Sequence, residues 1–343
     1  MMRWSRQILF GDVDAMFASA AVLADPRLAG KPVAVGGSSP RGIIAAASYA
    51  ARAFGVRSAM PTGEATRLCP QLILLPPDRP LYRRLHEQMQ AVTDRLFPLT
   101  EWSSIDEFYA DTTQLQTRYP DPRSLGQLTK DALYEATGLC CTIAIATGKT
   151  VAKIGADSHK PDGLVIVPPG TEEAFLALRP LRALPGIGPK TAARLEPLGL
   201  KTIGDLLDQR LDQPLRHIFG ARLHWVRELV RGIDHEPVVA DRESKSLSHE
   251  TTFEQDTQDR PFLEQTLRGF LRDLARDLRQ EGLAAGSCTV KLKNARFAIT
   301  TKQHRFPRPL NYDPDIWPTV QQALQELIRP GTEYRLEIGR AHV

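Results

Sequence analysis

At 343 residues, 42% of them hydrophobic, the chain can bury more than one core, which excludes an intrinsically disordered protein. A formal net charge of +4 permits a polyanionic partner without demanding one, and the four cysteines show neither a CxxC pair nor a histidine at zinc-ligand spacing, so buried thiols are expected. Acids enter before any long apolar run and no segment approaches the roughly 20 apolar residues of a membrane span, so a cytoplasmic protein without a membrane partner is expected.

In chain order, the opening region alternates strand-like runs, QILFGDVD and KPVAVGG, with helical ones, Ala15 to Ala24 among them, an α/β texture. Leu81, Leu85, Met89, Val92 and Leu96 recur at helical spacing between Pro80 and Phe97, and a strand candidate, IDEFYAD, follows. A helix over about Ser124 to Thr137 leads into the apolar run LCCTIAIAT, and another carries VAKIGADSHKPDG to a Pro/Gly stop. Residues 171–233 read as almost wholly helical, and the polar, aperiodic HEPVVADRESKSLSHETTF reads as a linker. Beyond it come an amphipathic helix around Phe262 to Leu278, strand-like TVKLKN and RFAITTKQHRF, a helix near Pro318 to Ile328 and strand-like TEYRL. No fixed-period repeat appears.

Acids interrupt two of the apolar strands. Asp12 and Asp14 close the first, and Asp106 lies against Glu107, where like charges repel. Carboxylates that converge from separate strands need a cation between them. Magnesium suits: it takes hard oxygen ligands and shares substrate phosphates, so two or three protein carboxylates suffice. Neighbouring strand residues face opposite sides, so Asp106 and Glu107 can share a site only where the strand bends, and a hairpin is expected there. In isolation, a solvated surface pair is the commoner meaning of such a dipeptide.

In SYAARAFGVRSAMP, Tyr49 and Arg52 stand three apart on one helical face, where a phenol and a guanidinium can bind phosphate oxygens. GKT at 148–150 lacks the glycine that a Walker A loop requires at Ile143, which rejects a P-loop. LPGIGPKTAARLEPLGL has the form of a helix-hairpin-helix: Gly186 and Gly188 allow close backbone approach, and the helix start with Lys190 beside it favours a phosphate. In TVKLKNARFAITTKQHRF, Lys291, Lys293, Arg296, Lys302 and Arg305 interleave with apolar residues. That predicts a half-buried sheet with a basic exposed face, fit for a duplex backbone or simply a guarded edge.

GDVDAMFASA, SYAARAFGVRSAMP, SSIDEFYADTT, AKIGADSHKPDG and LPGIGPKTAARL occur in the order and spacing of the Y-family DNA polymerases, which the chain resembles from about Gln7 to Leu336. The resemblance implies a multidomain α/β chain with an α+β palm (1–17 and 78–167), fingers (18–77), a helical helix-hairpin-helix thumb (168–234), a linker (235–245) and a C-terminal α+β little finger (246–343). It implies template-directed addition of deoxynucleotides to a primer 3′-hydroxyl, with low fidelity on damaged templates. Two magnesium ions would be held by Asp12, Asp106, Glu107 and the backbone carbonyl of Val13. Met16 and Phe17 would lie at the incoming nucleotide, Phe17 as a steric gate against a 2′-hydroxyl, while Tyr49, Arg52 and Lys160 would grip its triphosphate. Gly186, Gly188, Lys190 and the five basic residues of the C-terminal sheet would hold duplex DNA. Asp14 and Asp111 are expected to support the fold or the ligands. The implied partners are primer–template DNA and a deoxynucleoside triphosphate, with a sliding clamp as a further one although the usual tail is absent, and a monomer is expected.

Gly11, Ala21 and Ala46 depart from the family pattern, the last by lacking a hydroxyl that would touch the triphosphate. The terminal IGRAHV matches the translation of a sequencing adapter, so the last strand is expected to be cut near Leu336 and to leave an exposed edge. Two other readings stay open. One is a DNA-binding accessory subunit whose palm no longer turns over; the other is a nucleotidyl cyclase, which has no use for PGIG or the basic sheet.

Overall fold

The computed structural model describes residues 4–39, 41–240 and 245–343, and it divides into two compact units, Met1–Ser38 with Ile43–Asp241 and Ser39–Gly42 with Arg242–Val343. The first unit begins β1 (Ile8–Val13), α1 (Met16–Ala24), β2 (Val33–Gly36), β3 (Ile44–Ala47), α2 (Tyr49–Ala53), α3 (Thr62–Leu68), β4 (Ile73–Leu75) and α4 (Arg79–Leu96). It continues with β5 (Thr100–Trp102), β6 (Glu107–Asp111), α5 (Pro122–Thr137), β7 (Cys141–Ala146), α6 (Lys149–Asp157) and β8 (Leu164–Ile166). Four short helices close it: α7 (Glu172–Ala177), α8 (Pro189–Leu195), α9 (Asp212–Phe219) and α10 (Leu223–Val230). The second unit runs β9 (Ser246–Thr257), α11 (Arg260–Gln280), β10 (Ala285–Asn294), β11 (Ile299–Leu310), α12 (Asp313–Leu327) and β12 (Tyr334–His342).

The main sheet of the first unit has the order β5-β6-β1-β7-β8, antiparallel except for the β7–β8 pair. Every residue of β1 and β7 is buried, because both faces are covered. Ile8 and Phe10 join a core with Val151 and Ile154 of α6 and with α7 to α10, while Leu9 and Val13 join another with α4 and α5. Strand alternation therefore points Asp12, in phase with Ile8 and Phe10, toward the α6 side. A smaller sheet, β3-β2-β4, carries α2 and α3.

In the second unit α11 and α12 cover one face of the sheet β11-β10-β12-β9. One expectation needs correction here. The segment read as a linker becomes, from Ser246, a twelve-residue strand that pairs with β12. Only Phe253 of it is buried, and the inward positions before it include His249 and Thr251, so the sequence shows little apolar alternation. β12 runs to His342, bonded to β10 on one side and β9 on the other, and the edges of the sheet are β11 and β9.

Of the expected linker, residues 241–244 lie outside the described residues, and its first half is no free tether. Arg6 donates to the carbonyls of Asp234 and Glu236, Asp234 Oδ2 accepts from both the amide and the hydroxyl of Thr150 (each 2.8 Å), and Val239 N–H donates to Glu101 (2.8 Å). Among the cysteines Cys69, Cys141 and Cys288 are buried as expected, but Cys140 is exposed. Among the described residues no helix is long and apolar enough to cross a membrane.

Candidate active site

The antiparallel register sets Asp12 of β1 directly opposite Glu107 of β6, and Val13 N–H donates to the Asp106 carbonyl (3.0 Å). The expected bend is present. β5 and β6 form a hairpin, Asp106 belongs to its turn, where its Oδ1 accepts the Ser104 hydroxyl at 2.5 Å, and Glu107 opens the strand. Two ammonium groups meet these acids. Lys153 of α6 lies 2.7 Å from Glu107 Oε1, and Lys160, just past α6, pairs with Asp12 and stands 3.5 Å from Asp157. Burial pushes the Asp12 carboxyl up to about 7 against the pull of Lys160, and Glu107 and Asp106 push it the same way. Burial works against the Lys160 ammonium, yet Asp12 beside it holds its pKa above the ordinary value. Among the described residues no three acids stand together as a ready-made metal cluster. The donor set nevertheless fits magnesium: hard carboxylate oxygens from two adjacent strands, already meeting cations.

Asp14 sits one residue beyond β1 and is buried. Its carboxylate accepts from the Tyr49 hydroxyl (3.1 Å), the Thr142 hydroxyl (3.0 Å) and the Asp162 amide (2.8 Å). It thus ties α2, β7 and the loop carrying Lys160 to one point, a supporting role. Asp111 accepts from the Thr113 amide (3.0 Å) and caps a turn. Burial, reinforced by the Asp14 carboxylate, raises the Tyr49 phenol well above its ordinary value, so it stays a donor. Arg52 shares a face with Tyr49 as expected, its guanidinium 4.6 Å from the ring centroid, while its Nε donates to the Ala47 carbonyl (2.9 Å).

Phe17 stacks on Tyr82 of α4, centroids 4.2 Å apart and planes 19° from parallel. Met16, expected at the nucleotide, is buried in the core with Leu9 and Val13. Gly11 has a physical reason, because a Cβ there would lie 2.4 Å from the Phe108 ring. Ala46 is buried on β3, and nothing in the structure explains Ala21. Lys149 of the rejected P-loop string is buried with Glu101 at 2.6 Å, out of reach of a phosphate.

Three residues escaped sequence reasoning. Lys153 had one signal, a lysine among apolar helix residues seven positions, about two turns, before Lys160. Lys130 had none: its ammonium binds the carbonyls of Cys141 (2.7 Å) and Asp162 (2.8 Å), joining β7 to the Lys160 loop. Tyr82 is not among the positions that the helical spacing singled out.

Farther along the chain, Gly186 has a φ of 90°, a turn conformation natural to glycine, and Gly188 caps α8 beside exposed Lys190. In the second unit Lys291, Lys293 and Arg305 lie on the sheet face turned away from α11 and α12, Arg305 opposite Ser287. Lys302 does not share that face. It lies opposite core Val290 and pairs with Glu326 of α12 at 2.6 Å, since residues 302 and 305 differ in strand phase. Arg296 belongs to the turn between β10 and β11, not to a strand.

Residues 11–157 match the impB/mucB/samB family, 244–338 that family's C-terminal domain and 169–200 its HHH motif. The DNA polymerase IV of Halorhodospira halophila is 40% identical over 95% of this chain and 91% of its own length, and that of Methanoculleus marisnigri is 39% identical over 96% and 91%. Among solved structures, a Y-family DNA polymerase chimera of Dbh and Dpo4 superposes with a TM-score of 0.89 at 25% identity over 98% of both chains. An insertion ternary complex of Dbh DNA polymerase gives 0.69 at 25% identity, again over 98% of both. The motifs, the paired acids of β1 and β6, the helix-hairpin-helix and the whole-chain likeness agree: this chain belongs to the impB/mucB/samB family, within the Y-family DNA polymerases.

Proposed function

We propose that this Y-family polymerase adds deoxynucleotides to a primer 3′-hydroxyl at Asp12, Asp106 and Glu107, which, with the Val13 carbonyl, would hold two magnesium ions. The observation that carries this reading is Asp12 opposite Glu107 at the mouth of a hairpin, each acid already drawing an ammonium group. When bound, the two ions lower the pKa of the primer hydroxyl and neutralise the triphosphate. Lys160 then exchanges Asp12 for triphosphate oxygens, joined by the Tyr49 hydroxyl and the Arg52 guanidinium. Phe17, braced by the Tyr82 ring, walls off the sugar's 2′ position. In domain terms, residues 1–17 and 78–167 form the palm, 18–77 the fingers, 168–234 the thumb and 246–343 the little finger. The helix-hairpin-helix around Gly186, Gly188 and Lys190 and the face bearing Lys291, Lys293 and Arg305 hold the duplex backbone, with Arg296 at the turn. The chain works as a cytoplasmic monomer on primer–template DNA, with a sliding clamp as a further partner, and its short fingers check base-pair shape weakly, which suits damaged templates.

Primer extension tests the reading. Wild-type protein extends a primer only with a divalent cation, and Asp106→Ala lowers the rate about 100-fold or more. Magnesium-dependent DNA binding without extension would instead mark an accessory subunit. Phe17→Ala raises ribonucleotide incorporation by about 10- to 100-fold, and unchanged sugar selectivity would refute the gate.

A further inference from the structure

The turn joining β10 to β11 carries an aromatic ring that no core uses. Phe297 stands at its tip, 61% exposed and in left-handed backbone with φ 63°. Glycine or asparagine suits that conformation, and a bulky residue there is held against its local preference. The turn is firmly pinned. Asn294 Oδ1 accepts the amides of Arg296 (3.0 Å) and Ala298 (2.9 Å), Phe297 N–H donates to the Asn294 carbonyl (2.9 Å), and Ala295 N–H donates to the Glu333 carbonyl (3.0 Å). Glycine would serve such a turn at lower conformational cost, so the ring needs a reason of its own.

Its neighbours supply one. The Arg335 guanidinium lies 4.7 Å from the ring centroid, the Lys293 ammonium 5.9 Å, and Arg296 is exposed beside them. A cleft lined by Asn294, Arg296 and Thr332 opens at the same turn. A largely exposed ring with cations over it, on a pinned and strained turn, fits one ligand chemistry: an unpaired nucleobase stacked on the ring, its phosphates on the flanking cations. We propose that Phe297 is a stacking platform for a base of single-stranded nucleic acid, with the unpaired template strand as its occupant. The choice of template strand rests on the polymerase reading above; the stacking chemistry does not.

Binding of the full-length protein to labelled DNA, a blunt duplex against the same duplex with a 5′ overhang, tests the proposal. Phe297→Gly weakens overhang binding about tenfold and leaves blunt-duplex binding as it was, whereas Phe297→Trp keeps the π face and the affinity. The glycine variant melts at or above the wild-type temperature, because it relieves the backbone. An overhang of abasic sites lowers wild-type affinity to the Phe297→Gly level, a control that needs no variant to fold. Normal overhang binding by Phe297→Gly, an equal loss on blunt duplex, or indifference to abasic sites overturns the platform. If the wild type extends primers while Phe297→Gly binds overhangs normally, this inference alone fails. If overhang binding depends on Phe297 but the wild type extends nothing, only the polymerase reading fails.

Discussion

Each unit buries a glutamate within a sheet, and the two are treated differently. Glu101 of β5 is 2% exposed, with the Lys149 ammonium 2.6 Å away and the Val239 amide donating at 2.8 Å. Glu337 of β12 is 0% exposed, lies between Leu292 and Thr251 of the adjoining strands, and neither of its carboxyl oxygens has a hydrogen-bond partner among the described residues. Both side chains give up their hydration. The first unit replaces it with a cation and an amide, whereas in the second burial alone pushes the carboxyl up to about 8. Burial takes hydration from both acids; only the first unit gives back polar partners. Asp12 stands between these extremes, buried and paired at a place where a second cation can enter.

The largest test removes the cation. Lys149→Met takes the ammonium from Glu101, and urea denaturation should show a loss of about 3–5 kcal/mol, as for breaking a buried ion pair from one side. The opposite sign is expected in the second unit, where Glu337→Leu should raise stability by about 1–3 kcal/mol. That gain depends on pH in a defined direction. The unfolded carboxyl ionises near its ordinary 4.5 and the folded one near 8, so between those values the folded state holds the extra proton. Stability therefore falls as pH rises from about 4.5 to about 8, and Glu337→Leu gains most above that window. Glu337→Gln should have the smallest effect, flattening the pH dependence with little gain at acid pH. Thermal melts of wild type and variants across the window check all of this. A loss of stability in Glu337→Leu, or a pH-independent difference from wild type, would break the contrast.

Legibility in the sequence followed burial pattern. α4 and α11 were readable because each presents an apolar stripe at helical spacing, and β1 and β7 because both of their faces are covered. β9 was not, since its inward positions Leu247, His249, Thr251 and Phe253 alternate with exposed ones but two of the four are polar, which leaves little apolar alternation to find. Within the candidate site, Asp12 and the Asp106–Glu107 pair drew attention because acids beside apolar strand residues are anomalous. Lys153 and Lys130 did not, because a lysine on a helix is ordinary until the fold shows which carboxylate or carbonyl it reaches. Lys302 shows the limit of reading charge without phase: basic composition suggested one face, and strand parity put it on the other.

By itself the sequence determined the α/β character, the helix-rich middle and the bend at Asp106 and Glu107. Those follow from local propensity and from charge repulsion along the chain. Only the tertiary structure decided that Glu107 faces Asp12, that Lys153 and Lys160 meet these acids, that Asp14 binds three elements together and that Glu337 is buried without a partner. Each of these depends on sheet register and packing between residues distant in sequence, which no local pattern encodes.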